Sequence, residues 1–416
     1  MDDLIFLAHR LPFPPDKGDK IRSWRMLSHL AERFRVHLGA FIDDRRDAAH
    51  VGELRRICAS LFCPGIDPVL ARLKSAAALV TGQSLTERYF HDRRMARWVA
   101  ATMARVRPRF AFVYCSAMAP YLMPYRFTGG IVDMVDADSE KWRQYAASSR
   151  FPANLLYRRE GETVLALERR AAARFERTLF VSSAEANLFL KRAPEAKDRV
   201  LAIGNGVDLD RFNPDRSFAN PYAQGTRAVV FTGAMDYRPN IDAVLWFAAE
   251  VMPLLRGRAP GLEFWIVGSN PASSVCRLAQ APDIRVTGRV PDIRPYLAGA
   301  FAAVAPLRIA RGIQNKVLEA MAMGKPVVAS PQALEGISLK PGEEALVASN
   351  AEDFAAALLR VWRGEEPAMG ARARALVEAD YRWEAKLAAL DALYGDSDRA
   401  AQRGEFRAHL HAVSAS

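Results

Sequence analysis

Short, continuously apolar runs alternate along this chain with longer segments in which apolar residues recur every three or four positions. In the first half the runs are Leu4 to His9, Val36 to Ile42, Phe110 to Cys115, Ile131 to Val135 and Thr178 to Ser182. In the second half they are Ala228 to Thr232, Glu263 to Gly268, Ile284 to Thr287, Phe301 to Pro306, Pro326 to Ala329 and Ala345 to Ala348. A strand with one wet face alternates apolar and polar residues, so unbroken runs predict strands covered on both sides, as in a parallel sheet. The segments between them, such as Asn240 to Leu255 and Gln314 to Met323, have helical periodicity. The strand–helix alternation occurs twice, which predicts an α/β protein of two doubly wound lobes. Between about Gly204 and Gly225 the amphipathic period lapses into turn chemistry, with Gly204-Asn205-Gly206, Asn213-Pro214 and Asn220-Pro221. Lobes joined there are expected to leave a cleft at the carboxyl ends of both sheets, where such folds bind ligands. The expected domains are a first lobe over 1–205, a second over 206–380, a helix over 381–396 returning to the first lobe, and a polar tail over 397–416.

A length of 416 residues suits two domains that each bury a core. The longest nearly apolar run, Tyr296 to Leu307, has 12 residues, short of the roughly 18 that span a bilayer. The chain opens on Asp2 and Asp3 and enters an apolar stretch at once, without the basic start of a secretory signal. A soluble cytoplasmic protein is expected. Its four cysteines, Cys58, Cys63, Cys115 and Cys276, form no C-x-x-C pair and no metal-ligand spacing, so reduced structural thiols are expected and no metal.

Charge separates the two halves. The formal net charge is +11, and residues 1–200 hold 34 Lys and Arg against 23 Asp and Glu, while residues 201–416 hold 24 of each. A basic lobe attracts nucleic acid, anionic lipid or a phosphorylated substrate by the same screened attraction. No zinc spacing, basic zipper or aromatic ribonucleoprotein signature accompanies the charge, which argues against nucleic acid. Arginine-rich composition without a partner is the plain alternative to peripheral contact with an anionic membrane.

The strongest local signal runs from Pro306 through Val328. A strand ends at Pro306, a loop carries Arg308, Arg311 and Gly312, and a helix begins near Gln314. Free backbone N–H groups of Gly312, Ile313 and Gln314, at a helix start after a close-approach glycine, form an anion site. Arg308 and Lys316 are candidate cations for a diphosphate. Glu319, about one turn past Lys316, is a candidate acceptor for a ribose diol. An amphipathic helix with a surface Lys–Glu pair is the other reading of the same residues. In the first lobe, Gly18 lies in a loop after the first strand with Lys17, Lys20 and Arg22 around it, and is either a phosphate-approach glycine or an ordinary turn. Asp133, Asp136, Asp138, Ser139 and Glu140 cluster after a strand, with Asp136 and Asp138 the candidate carboxylates for an acceptor hydroxyl. Solvated loop acids paired with Lys141 and Arg143 are the alternative. Trp142 is a candidate stacking platform, and His9 and His29 have no partner readable from sequence.

The run LEAMAMGKPVV resembles the nucleotide-sugar signature of glycosyltransferase family 4, whose members have the GT-B fold of two Rossmann-like lobes facing each other across a cleft. PFPPDKGDKIR from Pro12, FVSSAEANLF from Phe180 and IGNGVDLDRFNP from Ile203 are similar to other family segments, in the family's order and from end to end of the chain. LAHRLPFPPDKGDKIRSW and VDMVDADSEKWRQYA resemble a subgroup of sugar transferases found with bacterial exosortase (PEP-CTERM) exopolysaccharide systems. The resemblance implies transfer of a sugar from a nucleotide-sugar donor with retained configuration, without a cofactor or bound metal, to a glycan or lipid-linked acceptor at the inner membrane face. It implies donor contacts at Gly18 and at the Gly288-Arg289-Val290 loop. Joined to the residue reading above, the expected donor contacts are Lys17, Gly18, Val290, Arg308, Gly312, Ile313, Gln314 and Glu319, with Asp136, Asp138 and Lys316 in catalysis. Arg311 stands where many members have the first glutamate of a pair. Ala234 follows Gly233 where many have a basic motif, so Arg238 and Asn240 are approximate substitutes. A nicotinamide oxidoreductase is disfavoured because no G-x-G-x-x-G follows either lobe's first strand. A non-catalytic binding protein of a polysaccharide assembly stays open.

Overall fold

The computed structural model of the chain describes residues 1–15, 17–310 and 312–395. These form two compact units, one of residues 1–204 and 387 onward, the other of residues 205–386. The division falls inside a helix over 383–395.

The first unit is built on a seven-stranded sheet. Its strands are β1 (Asp3–Ala8), β2 (Arg35–Ala40), β3 (Ser60–Phe62), β4 (Phe110–Tyr114), β5 (Gly129–Val135), β6 (Arg177–Phe180) and β7 (Val200–Ala202). They lie in the order β3-β2-β1-β4-β5-β6-β7, and every pair is parallel. Leu4 to Ala8 are fully buried, as the unbroken apolar run requires of a central strand covered on both faces. Two strands lie outside the apolar runs read from sequence. β3 and β7 are three residues long and close the two edges of the sheet. Edge strands bury one flank only, and the partly exposed Ser-Leu-Phe and Val-Leu-Ala carry too little apolar contrast to stand out.

The second unit has six strands: β8 (Arg227–Thr232), β9 (Leu262–Val267), β10 (Ile284–Gly288), β11 (Ala302–Ala305), β12 (Val327–Ala329) and β13 (Leu346–Val347). Their order is β10-β9-β8-β11-β12-β13, again all parallel. Both sheets therefore reverse strand order at one place, between β1 and β4 in the first unit and between β8 and β11 in the second. At such a switch the loops leaving adjacent strands diverge to opposite faces, opening a crevice beyond the strands' carboxyl ends.

Helix starts follow from local chemistry. Asp92 caps Arg93–Arg105 and Asn350 caps Ala351–Trp362, each accepting first-turn N–H groups. Ser182 accepts from Glu185 N, but the Glu185 carboxylate accepts from Ala137 N at 2.7 Å and does not close a capping box. The helix thereby anchors the loop that leaves β5. The helix over 383–395 ends against the first sheet, where the Tyr394 hydroxyl donates to Ala111 O at 3.1 Å and its ring meets Phe34 and Phe110. No helix among the described residues is long and apolar enough to cross a membrane.

Candidate active site

The switch point of the second unit gathers most of the residues singled out there. Gly233 leaves β8 with φ 155°, and a Cβ on Gly268, at the end of β9, would stand 1.6 Å from Gly233 O. Only glycine fits at 268, so the two strand ends pack backbone to backbone. A Cβ on Gly233 itself would meet Asn240 Nδ2 at 2.7 Å and Lys316 Nζ at 3.1 Å, so glycine there leaves room for those two polar ends.

Asn240 lies near the start of the helix Arg238–Trp246 and is buried. Its Nδ2 donates to Ala234 O at 2.9 Å, and its Oδ1 accepts from Lys316 Nζ at 2.6 Å. Lys316 belongs to the helix Asn315–Ala322, and its ammonium sits 4.1 Å from the centroid of the Phe231 ring. Burial lowers the Lys316 pKa to about 7, against the pull of Glu319. Burial likewise pushes the Glu319 carboxyl up to about 7, against Arg211 and Lys316. No side-chain hydrogen bond or salt bridge from another described residue reaches Glu319. An ammonium poised between forms and a carboxyl with open valences are ready to accept an anion and a hydroxyl donor respectively. A phosphate arriving at Lys316 would draw a proton onto it.

Gly312 adopts φ 64° just before this helix, and Gln314 is its N-cap residue, with Nε2 donating to Gly312 O at 3.1 Å. Val317 N closes the first turn onto Gln314 O at 3.0 Å, which leaves the N–H groups of Asn315 and Lys316, ahead of any intrahelical acceptor, as the ones a helix start offers to an anion. Ile313 packs partly against the core of the unit, as does Val290 beyond the edge strand β10. Arg238 is exposed on the first turn of its helix. Arg308 turns to Asp242, with Nε 2.9 Å from Oδ2, and lies beside the Trp246 ring. The structure thus groups Asn240, Lys316 and Glu319, while Arg308 is held by a partner on the helix 238–246. Arg311 lies outside the described residues. Asn205 Nδ2, in the glycine-flanked segment before this unit's sheet, donates to Asn315 Oδ1 at 3.0 Å and ties that segment to the helix start. Sequence reading singled out neither asparagine for this contact; the only signal was the Gly-Asn-Gly turn.

In the first unit Gly18 opens the helix Gly18–Ala31, with Lys17 extended at its N-cap position. Lys20 and Arg22, expected as loop cations around Gly18, lie on the inward side of that helix instead. Lys20 Nζ is 2.6 Å from Asp47 Oδ2. Arg22 grips both oxygens of Asp133 at 2.7 and 3.1 Å and donates to Ile203 O at 2.8 Å. Asp133, expected in the acidic loop, is inside β5 and fully buried. Lys20 and Arg22 flank, one on each border, the buried stripe of Ser23, Met26, Leu27 and Leu30, and a buried guanidinium requires a buried carboxylate.

Asp136 and Asp138 do come together at the end of β5. Val135 carries φ 67° where the register shifts, an outlier for a β-branched residue, and the chain turns sharply into the helix Asp138–Ser148. Burial pushes the Asp136 pKa up to about 7, reinforced by the Glu185 and Asp138 charges and opposed by Lys141 and Arg22. A neighbouring carboxylate, Glu168, accepts from Ser139 N and Oγ at 3.1 and 2.6 Å, and burial raises it to about 8. Trp142 forms a trio with Tyr145 and Tyr157, with centroids 5.6 to 6.0 Å apart.

The histidines have partners that the sequence did not show. His29 Nε2 is 2.7 Å from Asp391 Oδ1. His9 directly follows β1, at this unit's switch point, with Nε2 3.6 Å from Asp19 Oδ2 and its ring stacked at 5.7 Å on Tyr114. Burial alone would lower its pKa, but electrostatic and hydrogen-bonding contacts with Cys115 and Asp19 outweigh it and push His9 up to about 10. Cys115 follows β4 with φ 71°. The pairing arises because β1 and β4 are sheet neighbours, a fact of topology invisible in residues 106 positions apart. Among the described residues no group of three His, Cys, Asp or Glu side chains is arranged to hold a metal ion.

Two parallel sheets of this order, each flanked by helices, define the GT-B fold of two Rossmann-like lobes. Residues 226–363 match the model of the family described as Glycosyl transferases group 1. Sucrose-phosphate synthase from Thermosynechococcus elongatus superposes with a TM-score of 0.68 at 17% identity, covering 96% of this chain and 100% of that one. HepE from Anabaena, in complex with UDP and glucose, gives 0.64 at 13% identity over 95% of this chain and 100% of its own. WaaG, a glycosyltransferase involved in lipopolysaccharide biosynthesis, gives 0.62 at 15% identity over 94% and 99%. No curated protein matches the chain. The family match within the second unit, carried on this fold, supports a glycosyltransferase enzyme.

Proposed function

We propose that the protein transfers a sugar from a nucleotide-sugar donor to a glycan or lipid-linked acceptor in exopolysaccharide or cell-envelope synthesis, with retention of configuration and without a metal. The observation that carries this reading is the Asn240–Lys316–Glu319 group at the second unit's switch point, where an ammonium and a carboxylate are held half out of water with no salt bridge to either among the described residues. The donor's diphosphate would meet Lys316 and the N–H groups of Gly312, Ile313 and Gln314, and the ribose diol would donate to Glu319. Departure of the diphosphate builds negative charge, so a preorganised cation and helix start aimed at it supply most of the catalysis. Arg308 and Arg238 supply outer charge, and Val290 lines the base side. Lys17 and Gly18, with Asp136 and Asp138, are assigned to the first unit's share of the reaction. Asp136, with its raised pKa, is suited to take a proton from an acceptor hydroxyl near neutral pH. The reading places the enzyme in the cytoplasm at the inner membrane face. HepE with UDP and glucose supports a nucleotide sugar as the kind of donor.

The test is thermal stabilisation by UDP-, GDP- and ADP-sugars, since a ligand that binds the native state raises its melting point by mass action. One nucleotide series should stabilise the wild type, and Glu319→Ala should weaken that binding by about tenfold, the loss of hydrogen bonds worth about 1.4 kcal/mol. Absence of stabilisation by every sugar nucleotide, or an unchanged response in Glu319→Ala, would remove the donor assignment.

A further inference from the structure

The first unit carries a concentration of exposed apolar side chains that its own core does not use. In the helix Pro68–Ser75 the buried face is Ala71 and Ser75, one turn apart. Val69, Leu70 and Leu73 stand outward, with Val69 67% and Leu73 69% exposed. The turn that follows adds Leu79 and Val80, the latter 88% exposed. This inverts the ordinary pattern, in which a surface helix turns its apolar side inward.

A second segment lies beside it. Arg159, on the helix Ala153–Arg174, donates to Ala78 O and to Gln83 O. Glu160 on the same helix accepts from Leu85 N and Thr86 N at 2.7 and 2.9 Å. The side of the helix that carries Arg159 and Glu160 is thus strapped to residues 78–86. One turn earlier, four positions back on that side, stand Leu155 and Leu156, and Phe151, 78% exposed, precedes them. The Trp142–Tyr145–Tyr157 trio adjoins this end of the helix.

Charge tells the occupant. Residues 68–82 contain Arg72 and Lys74 and no acid, and residues 150–159 contain Arg150, Arg158 and Arg159 and no acid. Arg72, Lys74, Arg150 and Arg158 are exposed. A second copy of this chain would bring the same cations against them and be repelled. An anionic surface with an apolar interior satisfies both features. Protruding aliphatic and aromatic side chains enter the headgroup–acyl boundary, amphipathic Trp and Tyr sit at headgroup level, and each flanking cation gains from surface potential.

We infer that residues 68–81 and 151–156 form one membrane-docking surface on the first unit, which inserts its apolar tips into an anionic lipid leaflet. The inference names the partner of the lipid-linked acceptor reading and rests on it only for why a membrane is needed. Docking is measured without any sugar nucleotide, so either reading can fail alone.

The experiment is co-sedimentation of the full chain with phosphatidylglycerol vesicles and, in parallel, with phosphatidylcholine vesicles. The wild type should bind the anionic vesicles, with binding weakened but not abolished by salt. Leu73→Ser/Val80→Ser/Phe151→Ser should reduce partitioning by roughly tenfold or more for each side chain that enters the lipid. The melting temperature of this variant, and its stabilisation by donor nucleotide, should match the wild type, because the three side chains face solvent. No binding to phosphatidylglycerol at low salt would overturn the inference, as would unchanged binding by the triple variant. A wild-type dimer in sedimentation velocity that the same substitutions dissociate would also overturn it, since the surface would then face a second copy.

Discussion

Arg22 and Lys316 are both cations on helices beside a parallel sheet with the same strand order, and their surroundings differ completely. Arg22 in the first unit is fully enclosed, with both oxygens of Asp133 and a backbone carbonyl as partners. Lys20, two residues earlier, is likewise committed to Asp47. Lys316 in the second unit has one neutral partner, Asn240 Oδ1, and an aromatic ring, and Glu319 nearby has no side-chain hydrogen-bond partner among the described residues. The basic unit commits its buried cations Lys20 and Arg22 to carboxylates of its own fold. The neutral unit holds a cation and a carboxylate whose charged forms are both disfavoured by burial. Charge count alone points to the first unit, whereas the proposed anion site lies in the second. What marks a site is an ionisable group whose charge the protein itself has not met.

This contrast can be broken most forcefully at Arg22. Arg22→Met leaves Asp133 buried without a counter-ion, which costs about 3–5 kcal/mol, and should lower the melting temperature by about 10 °C. Calorimetry or a dye-based melt reads it directly, and a near-wild-type melt would show that the pair is not structural. Lys316→Met should do the opposite. Removing an ammonium held against its desolvation cost should leave the ligand-free melting temperature unchanged or raised, while turnover falls about 100-fold. A melt that drops as far as that of Arg22→Met would make Lys316 a structural residue.

The smallest effect concerns Glu168. Its pKa is about 8 in the folded chain against an ordinary 4.5, so between those values the native state keeps a proton that the unfolded chain gives up. Its contribution to stability is complete below about pH 4.5 and is lost as pH rises through about 8. The wild-type melting temperature should therefore fall by a few degrees from about pH 7 to about pH 9, an interval of which about one pH unit lies below the folded pKa, and Glu168→Gln should flatten that slope. Equal slopes in the two proteins would show that Glu168 is ionised throughout.

Eleven strands were legible because a buried parallel strand must be apolar at every position, which makes it conspicuous. Edge strands β3 and β7 need no such composition and were missed. The loop–helix element from Gly312 to Glu319 was legible for a related reason: helix starts, glycine turns and one-turn spacings are local, and a strand end before them fixes the context. Asn240 was placed near the site only as an approximate substitute, through resemblance.

Other features depended on which strands become neighbours. His9 with Asp19 and Cys115, Arg22 with Asp133, and Arg159 with the 78–83 turn join residues 10 to 111 positions apart, and no local pattern encodes such pairings. The sequence by itself determined two doubly wound parallel sheets and the helix start that bears Lys316 and Glu319, because those follow from periodicity and turn chemistry. Only the tertiary structure decided which cations are neutralised and which apolar side chains are left outside, because burial and pairing are properties of the packed chain.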